Sequence, residues 1–279
     1  MTPPRVVVLL SGGGAKSAAH VGALRALAEA GLAPSHYVGT SMGAVIGAAA
    51  AAGLDPQAML ARMAGIERRH IAAPSRLAVL GGLYLPALLR PEPFRRTIGA
   101  LIPAKSFDDL AVPLTVTAVD LDSGELARFG AGGRAVPLAD ALYASCALPL
   151  FFPPGEIEGR RYADGGLRGA VPFEAAESLD ADLVVAVDIG PGFDLLAIPA
   201  GARTLPRMVQ AHADATGILM ATVTRTQLAL WRARPDRPPL LYVRPRVERD
   251  ATFAVERLAV YAEEGYRAAR DAVEEWRRK

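Results

Sequence analysis

The chain is poor in the residues on which several chemistries depend. It has one cysteine, Cys146, in 279 residues, which excludes an internal disulfide framework and leaves no cysteine cluster for a metal. It has four histidines, His20, His36, His70 and His212, so a base of that type has few candidates. Charge of one sign is not in excess. The 31 basic and 29 acidic residues give a net charge of +2, and no strong field advertises a nucleic-acid partner. Long hydrophobic runs are missing too. The longest apolar stretch, Leu77 to Leu89, has 13 residues and is interrupted by Gly81, Gly82 and Pro86, short of the roughly 20 residues that span a bilayer. Only five strictly apolar residues, Val6 to Leu10, follow Arg5, fewer than the core of a secretory signal. The expected location is therefore cytoplasmic, with peripheral membrane contact left open.

What the chain does have is apolar bulk, 51% of its residues, enough for one large core. No internal repeat or linker divides it, so residues 1–279 read as a single domain. The spacing predicts a buried strand at Val6 to Leu10, a glycine turn, a helix from Ser17 to Ala30 ended by Gly31, a strand at Tyr37 to Thr40, and a helix from Met42 to Ala52. This βαβα opening predicts an α/β fold with a parallel or mixed sheet between helices. Residues 54–105 lack strand alternation and read as a helical excursion, a candidate cap over the site. Leu114 to Leu121 and Glu125 to Phe129 flank a hairpin turn. A helix over Leu138 to Cys146 and a strand over Leu183 to Asp188 follow, and Gly192 to Gly201 reads as a loose loop. From Pro206 to Arg232 helical periodicity places Met208, His212, Ala215, Leu219, Val223, Thr226 and Leu230 on one apolar stripe. The last helix places Val255, Leu258, Ala262, Tyr266, Ala269, Val273 and Trp276 on another.

Two glycine-rich segments carry chemistry. Ser11-Gly12-Gly13-Gly14-Ala15-Lys16-Ser17 lies between strand and helix, where backbone amides and the helix dipole favour an anion. A P-loop needs glycines where Ala15 and Leu10 stand, and a dinucleotide fingerprint needs a spaced third glycine that is absent. An oxyanion hole or a plain tight turn remains. Gly39-Thr40-Ser41-Met42-Gly43 has the G-x-S-x-G pattern between a strand and a helix, the setting of a nucleophile elbow. It makes Ser41 a candidate nucleophile, with the Met42 amide at the start of the following helix able to face an oxyanion.

The serine needs a base, and spacing alone does not choose one. His212 with Asp188 would give the Ser–Asp–His order of an α/β-hydrolase, but His212 falls on an apolar stripe and reads as a core residue. His20 and His36 read as structural, and His70 as exposed. Asp164, in Tyr162-Ala163-Asp164-Gly165-Gly166, reads as an acid on an exposed tight turn. Asp120, Asp122 and Asp188 also lie near strand ends.

Three of these segments, in order, resemble the patatin-like phospholipase family: Gly12 to Lys16, the Gly39–Gly43 elbow, and Asp164-Gly165-Gly166. The context Ala18-Ala19-His20-Val21-Gly22-Ala23-Leu24 and Ala144-Ser145-Cys146-Ala147-Leu148-Pro149-Leu150-Phe151-Phe152-Pro153 is similar as well. The resemblance runs from about Val6 to Pro172. Ser11 and Ser17 depart from the family's usual glycine loop and put its geometry in question. The resemblance implies a three-layer α/β/α sandwich with a central, mostly parallel sheet. It implies a Ser–Asp dyad of Ser41 and Asp164, an oxyanion hole from Gly12, Gly13 and Gly14, and a basic position at Lys16 that holds the loop. Gly39, Gly43, Gly165 and Gly166 support the two turns. The implied activity is hydrolysis of lipid acyl esters, of phospholipase A or lysophospholipase type, with no cofactor and no metal. The same acyl-enzyme would also serve an acyltransferase, and a catalytically idle lipid-binding module is a further alternative. Leu77 to Leu89 with Arg90, Arg95 and Arg96 reads equally as a basic-rimmed entrance for lipid or as an ordinary helical core segment. Nothing in the sequence sets the oligomeric state.

Overall fold

In a computed structural model, residues 3–74, 87–192, 206–248 and 255–278 are described. The core of the molecule is an eight-stranded sheet. The strands are β1 (Val6–Leu10), β2 (Pro34–Thr40), β3 (Leu114–Asp120), β4 (Leu126–Gly130), β5 (Gly155–Ile157), β6 (Arg160–Asp164), β7 (Leu183–Val187) and β8 (Leu240–Val243). Their order is β5-β6-β3-β2-β1-β7-β8, with β4 also paired to β3. The five strands β3, β2, β1, β7 and β8 run parallel. The pairings of β4, β5 and β6 are antiparallel and close one side.

The helices are α1 (Ala18–Glu29), α2 (Met42–Ala51), α3 (Pro56–Ala64), α4 (Arg68–Ile71), α5 (Pro91–Leu101), α6 (Leu138–Ser145), α7 (Phe173–Ala176), α8 (Arg207–Ala233) and α9 (Leu258–Arg277). Successive strand residues point to opposite faces, so β1 splits its side chains between two cores. Val6, Val8 and Leu10 join α1, α2, α5, α6 and α9 on one face. Val7 and Leu9 join Phe173 of α7 and Trp231 of α8 on the other. The three-layer α/β/α arrangement follows. The ends of the parallel strands carry the loops after β1, β2 and β7, the usual place for a site in such a sheet.

The structure corrects several expectations. β2 begins at Pro34 rather than Tyr37, and a register shift between Val6 and Val7 accommodates the proline at the strand's start. A 3-10 turn, Gly14–Ser17, precedes α1. The β5–β6 hairpin had no sequence signal. Its two-residue turn is Glu158-Gly159, both with positive φ, whereas the usual signature is Asn-Gly or Asp-Gly. On α8 the expected stripe is turned outward. Met208, Leu219 and Leu230 are 77%, 66% and 59% exposed, while Val209, Met220, Ala221, Thr224 and Trp231 are buried. In the 54–105 excursion, Phe94 stacks on Phe152 at 4.8 Å, and Arg95 pairs with Asp140. Residues 77–86 of the Leu77 to Leu89 stretch, and residues 193–201 of the expected loose loop, lie outside the described residues.

Helix α1 follows the glycine loop, and its position depends on a backbone-to-backbone contact with α9. A Cβ added at Gly22 would lie 1.8 Å from the Ala262 carbonyl oxygen, and one at Gly265 would lie 1.9 Å from that of Ala19. No rotamer relieves a clash with backbone, so the helices would have to part. We therefore expect Gly22→Ala to lower stability despite the roughly 1 kcal/mol that alanine adds to a helix, and Gly22→Val to lower it by about 3 kcal/mol. Urea midpoints measure both, and an unchanged or raised midpoint for Gly22→Ala would contradict the close contact.

Candidate active site

Ser41 stands directly after β2, in the crossing from strand to helix. Its φ of 55° and ψ of −132° are sparsely populated for a residue with a side chain, at a cost of about 1–3 kcal/mol. The turn is tight enough that a Cβ at Gly39 would lie 2.3 Å from Ala44 Cα, and one at Gly43 would lie 2.3 Å from the Leu10 carbonyl oxygen. The Ser41 amide donates to Ser145 Oγ at 2.8 Å, and the hydroxyls of Thr40 and Thr117 bond at 2.7 Å across β2 and β3.

The Ser41 hydroxyl donates to Asp164 Oδ2 at 2.7 Å. Asp164 is the last residue of β6, paired with Ala118 of β3, so the side chains meet across the end of β3. This corrects the expected exposed turn: Asp164 is only 5% exposed. Its amide donates to the Ala147 carbonyl, and its Oδ1 accepts the Gly166 amide at 2.8 Å. Gly165 is confined by β3, where an added Cβ would lie 2.6 Å from the Thr117 carbonyl oxygen. Burial pushes the Asp164 carboxyl up to about 6, and its bonds from Ser41 and Gly166 pull less strongly the other way. Cys146 is buried beside the pair, and burial, then the Asp164 charge, pushes its thiol well above the ordinary range.

The glycine loop closes the other side. A Cβ at Gly12 would lie 3.2 Å from Ser41 Cβ, so its missing side chain lets the loop approach the serine. The Gly12 amide, expected at the oxyanion, is instead committed to the Ala170 carbonyl at 3.0 Å. The Gly13 and Gly14 amides precede the first bond of the 3-10 turn and donate to no carbonyl among the described residues. With the Met42 amide at the first position of α2, they are three backbone donors without a carbonyl partner among the described residues, in the glycine loop and the elbow. The Ser11 departure is absorbed by the fold: its Oγ accepts the Ile189 amide at 2.8 Å. His20 Nε2 bonds the Ser11 carbonyl at 2.8 Å. A carbonyl only accepts, so that nitrogen carries the proton. Burial lowers the imidazole to about 4, which keeps it neutral. Lys16 is 2% exposed, behind the loop rather than on the surface. Ser17 Oγ is buried without a hydrogen-bond partner among the described residues.

The other candidate bases are engaged elsewhere. Asp188 pairs with Arg244 at 2.8 Å and accepts from Tyr242 and the Gly190 amide. His212 is not a core residue, and it makes no bond to that carboxylate, whose partners are Arg244, Tyr242 and Gly190. It is half-buried, and its Nε2 lies 3.5 Å from Thr216 Oγ1 on its own helix, so no Ser–His–Asp arrangement forms. Asp120 and Asp122 pair with Arg160 and Arg161. His36 bonds Thr115, and His70, expected exposed, is half-buried and accepts the Glu67 amide. Ser145 and the Ala170 carbonyl were not singled out by the sequence. Ser145 lies in a segment that resembles the family, but nothing in its type or spacing marks it as an acceptor for the elbow amide. No group of three His, Cys, Asp or Glu side chains that could hold a metal occurs among the described residues.

Comparisons with known proteins agree on this region. A family model described as patatin-like phospholipase matches residues 8–177. An uncharacterized NTE family protein of Mycobacterium tuberculosis is 35% identical over 188 residues, 67% of this chain and 49% of the relative. The human patatin-like phospholipase domain-containing protein 6 is 28% identical over 193 residues, 68% of this chain and 14% of the relative. The chain thus spans about half the length of the mycobacterial relative. Among solved structures, VipD from Legionella pneumophila superposes with a TM-score of 0.52 at 17% identity, covering 98% of this chain and 67% of that one, a likeness of fold.

The raised Asp164 carboxyl has a stability signature. Between about pH 4 and 6 the native state holds a proton that the unfolded chain has released, so this group's contribution falls as pH rises. Buried His20 acts in the opposite direction between its lowered value near 4 and the ordinary 6.5, so the total curve hides both. The difference between Asp164→Asn and the parent isolates the carboxyl. The variant's relative stability should grow through that window by up to about 3 kcal/mol and then level off. A difference that does not vary with pH in urea unfolding would contradict the assignment.

Proposed function

The chain belongs to the patatin-like phospholipase family, and on that premise we propose that it is a serine acyl hydrolase of lipid carboxylic esters, of phospholipase A or lysophospholipase type. The observation that carries the proposal is the 2.7 Å bond from Ser41 Oγ to a carboxyl raised to about 6. Ordinary aspartate, near 3.9, is a weak base at neutral pH. A buried one closer to the working pH is a better proton acceptor and still ionised when the serine attacks.

The mechanism follows from the donors and acceptors in place. Ser41 Oγ attacks the ester carbonyl carbon while its proton passes to Asp164 Oδ2. The carbonyl oxygen gains charge opposite the Gly13, Gly14 and Met42 amides, the last at the positive end of α2. Each such donor contributes about 3 kcal/mol in comparable sites. Asp164 returns the proton to the leaving alcohol as the carbon–oxygen bond breaks, leaving an acyl group on Ser41. Water then attacks the acyl carbon and gives a proton to Asp164. Collapse releases the carboxylic acid, and Ser41 recovers its proton. Gly166, donating to Oδ1, keeps Oδ2 turned to the serine, and Ser145 holds the strained elbow through the Ser41 amide. Residues 1–279 act as one catalytic domain in this proposal, with the 54–105 excursion as its cap. Contact with lipid is peripheral: no described helix is long and apolar enough to cross a membrane.

Turnover of a short-chain p-nitrophenyl ester tests the assignment. Ser41→Ala should abolish it, Asp164→Asn should lower kcat by about 10²–10⁴-fold, and His212→Ala should stay within about twofold of the parent. For the parent, kcat/KM should climb with pH to a plateau above about 6, as Asp164 ionises. Loss in His212→Ala with activity kept in Asp164→Asn would overturn the dyad.

A further inference from the structure

Helix α8 has an outer face unlike that of a solvated helix. Among the described residues, seven large apolar side chains are exposed, and four of them, Met208, Ile218, Leu219 and Leu230, are on this helix. Every other fully exposed side chain along α8 is alanine, threonine or arginine. The helix's one acid, Asp214, is half-buried and accepts from Gln210 of the same helix. The result is an acid-free exposed strip about 40 Å long, with Arg207, Arg225 and Arg232 along one flank at helical spacing. Arg207 and Arg225 make no ion pair among the described residues. Helix α9 shows the ordinary alternative in the same chain: its exposed face is a ladder of opposite charges, Arg267 with Glu263 and Glu264, and Arg270 with Asp271 and Glu274. Water-facing helices carry such charges, whereas an apolar strip edged by arginines fits the boundary of an anionic bilayer.

The inner face of α8 holds the site. Met220 packs on Gly166, two residues from Asp164, where an added Cβ would lie 3.2 Å from its Cε. Thr224 Oγ1 accepts the Ala170 amide at 2.9 Å. The carbonyl of the same residue takes the Gly12 amide. Gln227 Nε2 donates to the Arg168 carbonyl at 3.0 Å. One helix therefore grips the Asp164 loop and, through Ala170, the glycine loop, while Met208, Ile218, Leu219 and Leu230 of the same helix are exposed.

We infer that the outer face of α8 docks the protein on an anionic lipid surface. The choice of lipid over a protein partner rests on the ester hydrolase reading above, together with Arg207 and Arg225, which make no ion pair among the described residues, and the lack of an exposed acid along α8 itself; the exposed acid beside Leu230, Glu177, is paired with Arg237. Docked in this way, the protein lies with α8 between the bilayer and the Asp164 loop, so the rim of the site is at the interface where lipid esters reside.

The test separates docking from chemistry. Binding of the Ser41→Ala chain to vesicles of phosphatidylcholine with phosphatidylglycerol requires no turnover. It should exceed binding to phosphatidylcholine alone and weaken as salt is raised. Adding Ile218→Asp and Leu219→Asp should lower it by at least about tenfold. The same pair in the Ser41 protein should leave turnover of the soluble p-nitrophenyl ester unchanged and lower hydrolysis of vesicle lipid. Leu230→Asp, on the same face further along, serves as a second variant if the pair fails to fold by circular dichroism, with the same expected loss of binding. Absence of vesicle binding by the Ser41→Ala chain, or binding unchanged by the aspartates, overturns the inference. So does a dimer that the aspartates convert to monomer without any vesicle binding, which would make the face a contact between copies. Vesicle binding without ester turnover would leave the docking face standing and remove the hydrolase reading instead.

Discussion

The site depends on one buried carboxylate. Asp164 sits at the end of β6 with little access to water, and the fold meets its charge with two donors, the Ser41 hydroxyl and the Gly166 amide. Two hydrogen bonds do not replace full hydration of a carboxylate, and the upward displacement of its titration expresses the deficit. A carboxylate that is undersolvated but still ionised at neutral pH is a proton acceptor already aimed at a serine. The same burial that costs stability makes the group useful.

Holding that geometry requires backbone to pass close to backbone. Gly39 and Gly43 let the elbow fold against Ala44 and the end of β1, Gly12 lets the loop approach Ser41, and Gly165 fits against β3. The strained Ser41 is fixed at its amide by Ser145 and at its hydroxyl by Asp164. Further out, Gly22 and Gly265 let α9 press α1 against the sheet, and neutral His20 anchors the Ser11 carbonyl. The chain's small residues therefore do structural work in the layers around the serine, where larger side chains would separate elements that must touch.

Much of this was legible from residue order. The parallel opening, the glycine loop and the elbow read directly, because their signals are local: strand, turn residue, helix. What did not read was set by pairing at a distance. The Tyr162–Gly166 segment has the composition of a turn, and only its register with β3 shows Asp164 to be a buried strand end. Gly12 resembles an oxyanion donor until the Ala170 carbonyl, more than a hundred residues on, is found to take its amide. The outward Met208, Leu219 and Leu230 misled for a different reason. Helix α8 is apolar on both sides, and its core side includes Thr224 and Gln227, which bind backbone rather than fill space. Periodicity reports that a helix has faces, and not which one is inside when both are apolar.

The central claim is that Asp164 is buried, ionisable near neutrality and bonded to Ser41. A direct titration of its carboxyl carbon by NMR in selectively labelled native protein tests it without reference to any substrate. The account predicts a midpoint near 6 in the parent, and a higher one in Ser41→Ala, because removing the hydroxyl takes away a donor that favours the charged form. A midpoint near the ordinary value of about 3.9, unmoved by the loss of Ser41, would contradict it.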